Sequence, residues 1–365
     1  MKLGIIGLAR SGKTTVFNAV TRGTALVGAY SAASQPNVGV VNVPDERVDR
    51  LAQLYKPKKV TYATIEYVDF PAAGENFGKG QGPAGKFIND LGRTDALIHV
   101  VRTFADETVP HPEVTIDADR DIVTMDLELA FADLAVIEKR LHRLDTEIRS
   151  LKAGERDLPQ RTKELLTRIK ADLENEKPIR AQPVSAEEWR LLEGSQFLTA
   201  LPMLIVINIG EDELGRRAEL EAAYAAKYRG EGREVAVFCG KFEMDLNELS
   251  EDEATEFRAS AGVTESGMAG AIRMSYALLG LISFLTAGPD ECRAWTVTSG
   301  STAPVAAGKI HSDLQRGFIR AEVITFDDLV AAGSEAEAKK RGTLRTEGKQ
   351  YIVQDGDVVN ILFNV

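Results

Sequence analysis

The 365-residue chain has only two cysteines, Cys239 and Cys292, and they lie far apart. One disulfide would be a weak staple at this length, so a reduced, cytoplasmic setting is expected. Long runs of like charge are also missing, which excludes an acidic or basic tail. The formal net charge is −11, so contact with nucleic acid would need a local basic patch. No apolar run is long enough to span a bilayer. The longest, YALLGLISFLTAG (276–288), is interrupted by glycine and is expected to form a buried helix. The opening MKLGIIGL reads as a strand and leaves no room for a signal peptide. What is present is 44% hydrophobic residues, enough for real cores in two or three domains.

GLARSGKTT (7–15) raises the question of phosphate binding. Gly7, Gly12, Lys13 and Thr14 fit G-x-x-x-x-G-K-[ST]. Glycines let backbone N–H groups turn inward around an anion, and Ala9, Arg10, Ser11 and Thr15 complete that cradle. Lys13 places a point charge on the β- and γ-phosphates and is the first candidate catalytic residue. Thr14 offers a hydroxyl to Mg²⁺. The strand LGIIG runs into the motif and a helix leaves it, with its positive end toward the anion.

The strand TIEYVDF (64–70) delivers Asp69 at its C-terminal end, where an open parallel sheet presents ligand groups. Asp69 is the second candidate for the metal. The glycine-rich PAAGENFGKGQGPAGKF (71–87) suits a mobile switch loop. Three further apolar strands, at 96–102, 203–208 and 234–239, predict a mostly parallel α/β sheet covered on both faces. One of them ends in Asn208-Ile209-Gly210-Glu211, where GTPases carry Asn-Lys-x-Asp. Glutamate adds a methylene and disturbs the bidentate fit to guanine, so strict guanine selection should be lost. Asn208, Ile209 and Glu211 are expected at the base, with Lys241 and Phe242 covering it.

Leu134, Ile137, Leu141, Leu144, Ile148 and Leu151 form a heptad-like seam. AGERDLP breaks it, and a second helix carries Leu166, Ile169 and Leu173. This predicts an antiparallel helical hairpin inserted at 121–199, between the two parts of a P-loop domain at 1–120 and 200–285. Residues 286–365 suggest a small α+β domain of short strands and one helix, with Asp355-Gly356 as a hairpin turn. Its basic residues, among them Arg293, Arg316, Arg320 and Lys339, are balanced by acids, so no basic stripe is visible.

The whole chain resembles the YchF/Obg-like ATPase family of P-loop NTPases. The resemblance is carried by PNVGVV (36–41), TDALIHVVR (94–102), RAWT (293–296), IHSDLQRGFIRAEV (310–323) and VQDGDVV (353–359). It implies a P-loop G domain, a coiled-coil arm and a C-terminal ubiquitin-like (β-grasp) TGS domain. It also implies binding of ATP at least as well as GTP, Mg²⁺ as cofactor, and the ribosome or ribosomal RNA as partner through the arm and TGS domain, with no membrane. The family carries an apolar residue where Ras-like enzymes have glutamine, here Ala73, and a histidine at the place of His111, a second candidate catalytic residue.

Three departures concern the γ-phosphate. Ala33, with Ser34 beside it, stands where the family has a metal-closing threonine. Ala72, after Pro71, replaces the glycine of Asp-x-x-Gly, and Arg10-Ser11 replaces Asn-Val. Binding is therefore expected to be better preserved than hydrolysis. Two readings follow: a slow Mg²⁺-dependent NTPase acting as a switch in translation or stress, or a nucleotide-bound scaffold whose arm and TGS domain dock a partner.

Overall fold

The apolar runs that read as strands are buried along their length because both faces of their sheet are covered. The computed structural model describes residues 1–25, 36–70, 83–263 and 266–364. In chain order come β1 (Lys2–Ile6), α1 (Lys13–Thr21), β2 (Asn37–Asn42), α2 (Glu46–Tyr55), β3 (Lys59–Thr61), β4 (Thr64–Asp69), α3 (Pro83–Leu91) and β5 (Ala96–Arg102). Then follow α4 (Ala118–Ser150), α5 (Asp157–Glu174), β6 (Met203–Asn208), β7 (Arg233–Phe238), β8 (Leu281–Thr286), β9 (Glu291–Thr298), β10 (Phe318–Thr325), β11 (Arg345–Glu347) and β12 (Asp357–Phe363). The chain divides into two units, Met1–Gly39 with Glu66–Ala271, and Val40–Ile65 with Ile272–Val365.

The first unit is built on a sheet of order β2-β4-β1-β5-β6-β7. β1, β4, β5, β6 and β7 run parallel. Their registers pair Ile5 with Asp69, Arg102 with Asn208, and Asn208 with Phe238, so these residues arrive at one edge of the sheet. Every residue of β5 and β6 is buried. On one face, Leu97, Val101, Ile205 and Ile207 pack with Ile122, Met125 and Leu129 of α4.

α4 has 33 residues, about 50 Å at 1.5 Å per residue. Asp117 caps its start by accepting from the Arg120 N–H. Its far half carries the expected seam, with Ile137 and Leu144 buried against Leu165, Leu166, Ile169 and Leu173. Asp145 pairs with Lys163 and Glu138 with Lys170, at 2.7 and 2.8 Å. One partner moves back along α4 as the other moves forward along α5, so the helices are antiparallel.

The second unit has sheet order β11-β10-β12-β8-β9-β3. β8 and β9 are antiparallel, β10 pairs antiparallel with β12 and β11, and β12 lies parallel to β8 in the middle. The helix Ala303–Ile310 covers one face, pressing Ala303, Ala306 and Ala307 onto Phe284, Val323 and Val359. This is the β-grasp arrangement. Four short helical segments, not one, lie between Ala303 and Arg341.

Two further expectations are corrected. The 276–288 run is not one helix: a helix ends at Leu278, Gly280 takes a left-handed φ of 62°, and β8 begins at Leu281. Asp355-Gly356 does turn the chain, but not between two paired strands. Ile352 bridges Thr302, and the turn is docked on β8, where Ser283 N–H donates to Asp355 Oδ1 and Gly356 N–H to the Ser283 carbonyl. Most of the expected switch loop lies outside the described residues, but Pro83 to Phe87 open α3, where a proline lacks only an N–H that has no helical partner. Ala33, Ser34, Pro71, Ala72 and Ala73 also lie outside the described residues. Among the described residues no helix is long and apolar enough to cross a membrane.

Candidate functional site

The parallel strands gather their C-terminal ends around the turn that follows β1. Gly7 has φ 152° and Gly12 has φ 90°. A Cβ on Gly7 would collide with the Val100 carbonyl, and one on Gly12 with the Asn208 amide, so only glycine fits either position. Arg10, between them, also takes a left-handed φ of 62°. The loop closes with Ser11 N–H on the Leu8 carbonyl at 3.3 Å and runs into α1.

Lys13 is buried under this loop, its ammonium donating to the Gly7 and Leu8 carbonyls at 2.9 and 2.8 Å. Burial pushes its pKa down to about 8, against the pull of Asp69. Thr14 Oγ1 donates to Asp69 Oδ2 at 2.9 Å, and Asn37 Nδ2 donates to the same oxygen at 3.3 Å. Asp69 Oδ1 is buried with no hydrogen-bond partner. Burial raises the carboxyl pKa, which the Thr14 and Asn37 bonds and the Lys13 charge partly oppose. A buried carboxylate with one oxygen unmatched, beside a hydroxyl, is a hard-oxygen donor set that suits Mg²⁺.

Asn208 ties the loops together. Its Nδ2 donates to the Ser11 carbonyl at 3.1 Å and its Oδ1 accepts from Gly240 N–H at 2.9 Å. Its amide thus serves as a clamp as well as lying near the expected base position. Glu211 and Lys241 are exposed and paired with each other at 2.8 Å. The side chains of Ile209 and Phe242 are corrected to core positions, 1% and 4% exposed. Phe242 stacks on Phe257, so neither side chain is presented to a ligand. Ala9 and Arg10 are exposed on the loop and Thr15 is half-buried at the start of α1.

His111 is buried in the loop before α4. Its Nδ1 accepts from the Glu113 N–H at 3.1 Å, which leaves Nε2 to carry the proton and donate to Asp121 at 2.9 Å. Arg120 holds the other Asp121 oxygen. Both imidazole nitrogens have hydrogen-bond partners within a buried loop. The Arg10 guanidinium donates to the carbonyl of Pro110, one residue before this histidine, at 2.9 Å.

Two residues not singled out from sequence belong to this edge. Arg102 is 2% exposed, lies over the Phe104 ring, and donates to the Phe104 and Arg10 carbonyls at 3.0 and 3.4 Å. An arginine ending the apolar run ALIHVVR was the available signal. Asn37, on Asp69, lies in the PNVGVV segment that carries the family resemblance, which gave no hint of its contact with Asp69.

A family model described as YchF-GTPase_C, a protein of unknown function (DUF933), matches residues 281–364. The chain is 41% identical to the ribosome-binding ATPase YchF of Bacillus subtilis (strain 168), covering 99% of each. It is 39% identical to the ribosome-binding ATPase YchF of Escherichia coli O157:H7, covering 100% of this chain and 99% of that one. The solved YchF GTPase of Schizosaccharomyces pombe matches with TM-score 0.83 at 28% identity, over 99% of this chain and 97% of that one. With identity at this level over its full length and the same fold, the chain belongs to the YchF family.

Proposed function

We propose that the chain is a slow, Mg²⁺-dependent NTPase that binds ATP and GTP and acts as a regulatory switch on the ribosome in the cytoplasm. The observation that carries this is Lys13 buried beneath a glycine-turned loop, beside a Thr14–Asp69 pair with one carboxylate oxygen unmatched. The full-length relatives named ribosome-binding ATPases support it.

In this reading the backbone of residues 9–15 cradles the phosphates. Lys13 exchanges its two carbonyl partners for phosphate oxygens. Thr14 and Asp69 hold the metal, which would neutralise phosphate charge. Asn208 keeps the cradle and the start of the helix Gly240–Leu246 at a fixed spacing. Glu211, tied to Lys241, is a poor partner for the guanine edge, so ATP is preferred. His111 is an anchor and Ala73 cannot orient water, so turnover is slow. The division of labour is a G domain at 1–120 and 200–285, an arm at 121–199, and a TGS domain at 286–365. The arm and TGS domain reach the ribosome.

The test joins nucleotide and partner. Affinity for ATP and GTP analogues is measured with and without Mg²⁺, phosphate release is followed at saturation, and ribosome pelleting is titrated with salt. Tighter ATP binding in Mg²⁺, slow release and co-sedimentation at low salt are expected. Tight binding with no release would leave a scaffold instead. No co-sedimentation in any nucleotide state would remove the ribosome from the proposal.

A further inference from the structure

The second unit carries a cleft that nucleotide chemistry does not use. β12 pairs with β10 along its whole length, from Asp357 to Phe363. On its other side it is in register with β8 only at Val358, opposite Leu285. β8 ends at Thr286, so Asn360–Phe363 continue past it with no strand on that side among the described residues. Alternate backbone groups of an unpaired strand edge are open to a new strand. Beside this edge lies a cavity of about 850 Å³, bounded across from β12 by the turn Ala287–Pro289.

The two faces of the cleft differ. Glu322 stands opposite Asn360 in the ladder and accepts its amide at 2.9 Å. Glu335 accepts from Tyr55 Oη at 3.0 Å. Neither carboxylate has a salt-bridge partner among the described residues, whereas the third, Glu291, is paired with Lys59 at 3.2 Å. Among the described residues no lysine, arginine or histidine lines the cavity, and the cation Arg293 lies over the ring of the lining residue Trp295 at 3.8 Å. The neighbours of Asn360 in the ladder, Val359 and Ile361, point to the other face, where Trp295 also packs. Phe363, at the open end, is 47% exposed.

We infer that this cleft binds an extended basic segment of a partner protein, which adds as a strand along Asn360–Phe363. Backbone pairing supplies the register. One side of the incoming strand meets Glu322 and Glu335, and the other meets Trp295 and Ile361. A segment alternating basic and apolar residues satisfies both at once. RNA phosphates meet two uncompensated carboxylates and are repelled.

The test uses the full chain and three fluorescent probes: an octapeptide alternating lysine and valine, a peptide of the same composition in two blocks, and a uridine octamer. The alternating peptide is expected to bind best, to weaken as salt rises, and to slow hydrogen exchange of the Asn360–Phe363 amides. Glu322→Gln with Glu335→Gln should weaken it by about tenfold while ATP affinity stays unchanged. Phe363→Ser, at an exposed site, should weaken it without the salt dependence changing. Equal binding of the blocked peptide, indifference to all three substitutions, or displacement by the uridine octamer would overturn the proposal. ATP affinity is read in parallel, so failure here is separable from failure of the nucleotide reading.

Discussion

Asn208 reaches from the end of β6 to the glycine-turned loop and to the helix Gly240–Leu246 at once, and its replacement tests whether that clamp matters. Asn208→Ala leaves the Ser11 carbonyl and the Gly240 N–H unpaired in a buried setting. The expected loss is about 2 kcal/mol of stability. ATP affinity should also fall, because the cradle and the start of the helix Gly240–Leu246 are no longer held at one spacing. A lower melting temperature with unchanged affinity would confine the clamp to folding. His99 makes a different residue-scale prediction. It is 1% exposed in β5, and neither ring nitrogen has a hydrogen-bond partner. Burial first, then the charges of Arg233 and Lys13, push its pKa from 6.5 to about 3. A depressed folded pKa gives stability that is full above the unfolded value and is lost as pH falls toward the folded one. Going from pH 7.5 to pH 5 should therefore remove about 2 kcal/mol through this group. Calorimetric melting of His99→Leu across that range should show a correspondingly flatter acid limb. An unchanged limb would mean that His99 finds water in solution.

At the scale of elements, the arm is joined to β7 at its root by a carboxylate on α4. Asp126 faces Arg233 on β7 at 3.0 Å and Arg180, after α5, at 3.7 Å. The arginine side chains are 14% and 4% exposed, so they share a counter-charge in a largely dry place. Burial first, then the charge of Arg233, lowers the Arg180 pKa to about 10. Asp126→Asn removes the only carboxylate among the described residues that pairs with both and should cost about 3 kcal/mol, read from denaturant midpoints. Asp126→Ala with Arg180→Met should recover part of that loss, since the uncompensated pair is then gone. If the double variant is no better than the single one, the loss comes from packing at the arm root. Sequence showed α4 and α5 through the seam of Ile137, Leu144, Leu166 and Ile169, because helical periodicity is local. It did not show Asp126 joining them to β7, because that contact spans more than a hundred residues.

For the molecule as a whole, legibility followed the range of the interactions. The phosphate turn, the apolar parallel strands, the Asp69 strand end and the antiparallel arm were readable because each depends on a short window of residue types. So was the parallel order of the nucleotide sheet, from strands alternating with helices. The 276–288 run misled because Gly280 divides an apolar stretch whose two parts have different partners. Asp355-Gly356 misled because a turn signal does not say what the turn packs on, and here it packs on Ser283. Sequence by itself determined a glycine turn that leads from a parallel strand into a helix, since glycine freedom and hydrophobic period are local properties. Tertiary structure decided that both His111 nitrogens are bonded, that Ile209 and Phe242 are core, that Asn208 is a clamp, and that β12 outruns β8 to leave an open edge. Those outcomes depend on which distant donors and surfaces meet, and only the closed fold brings them within bonding distance.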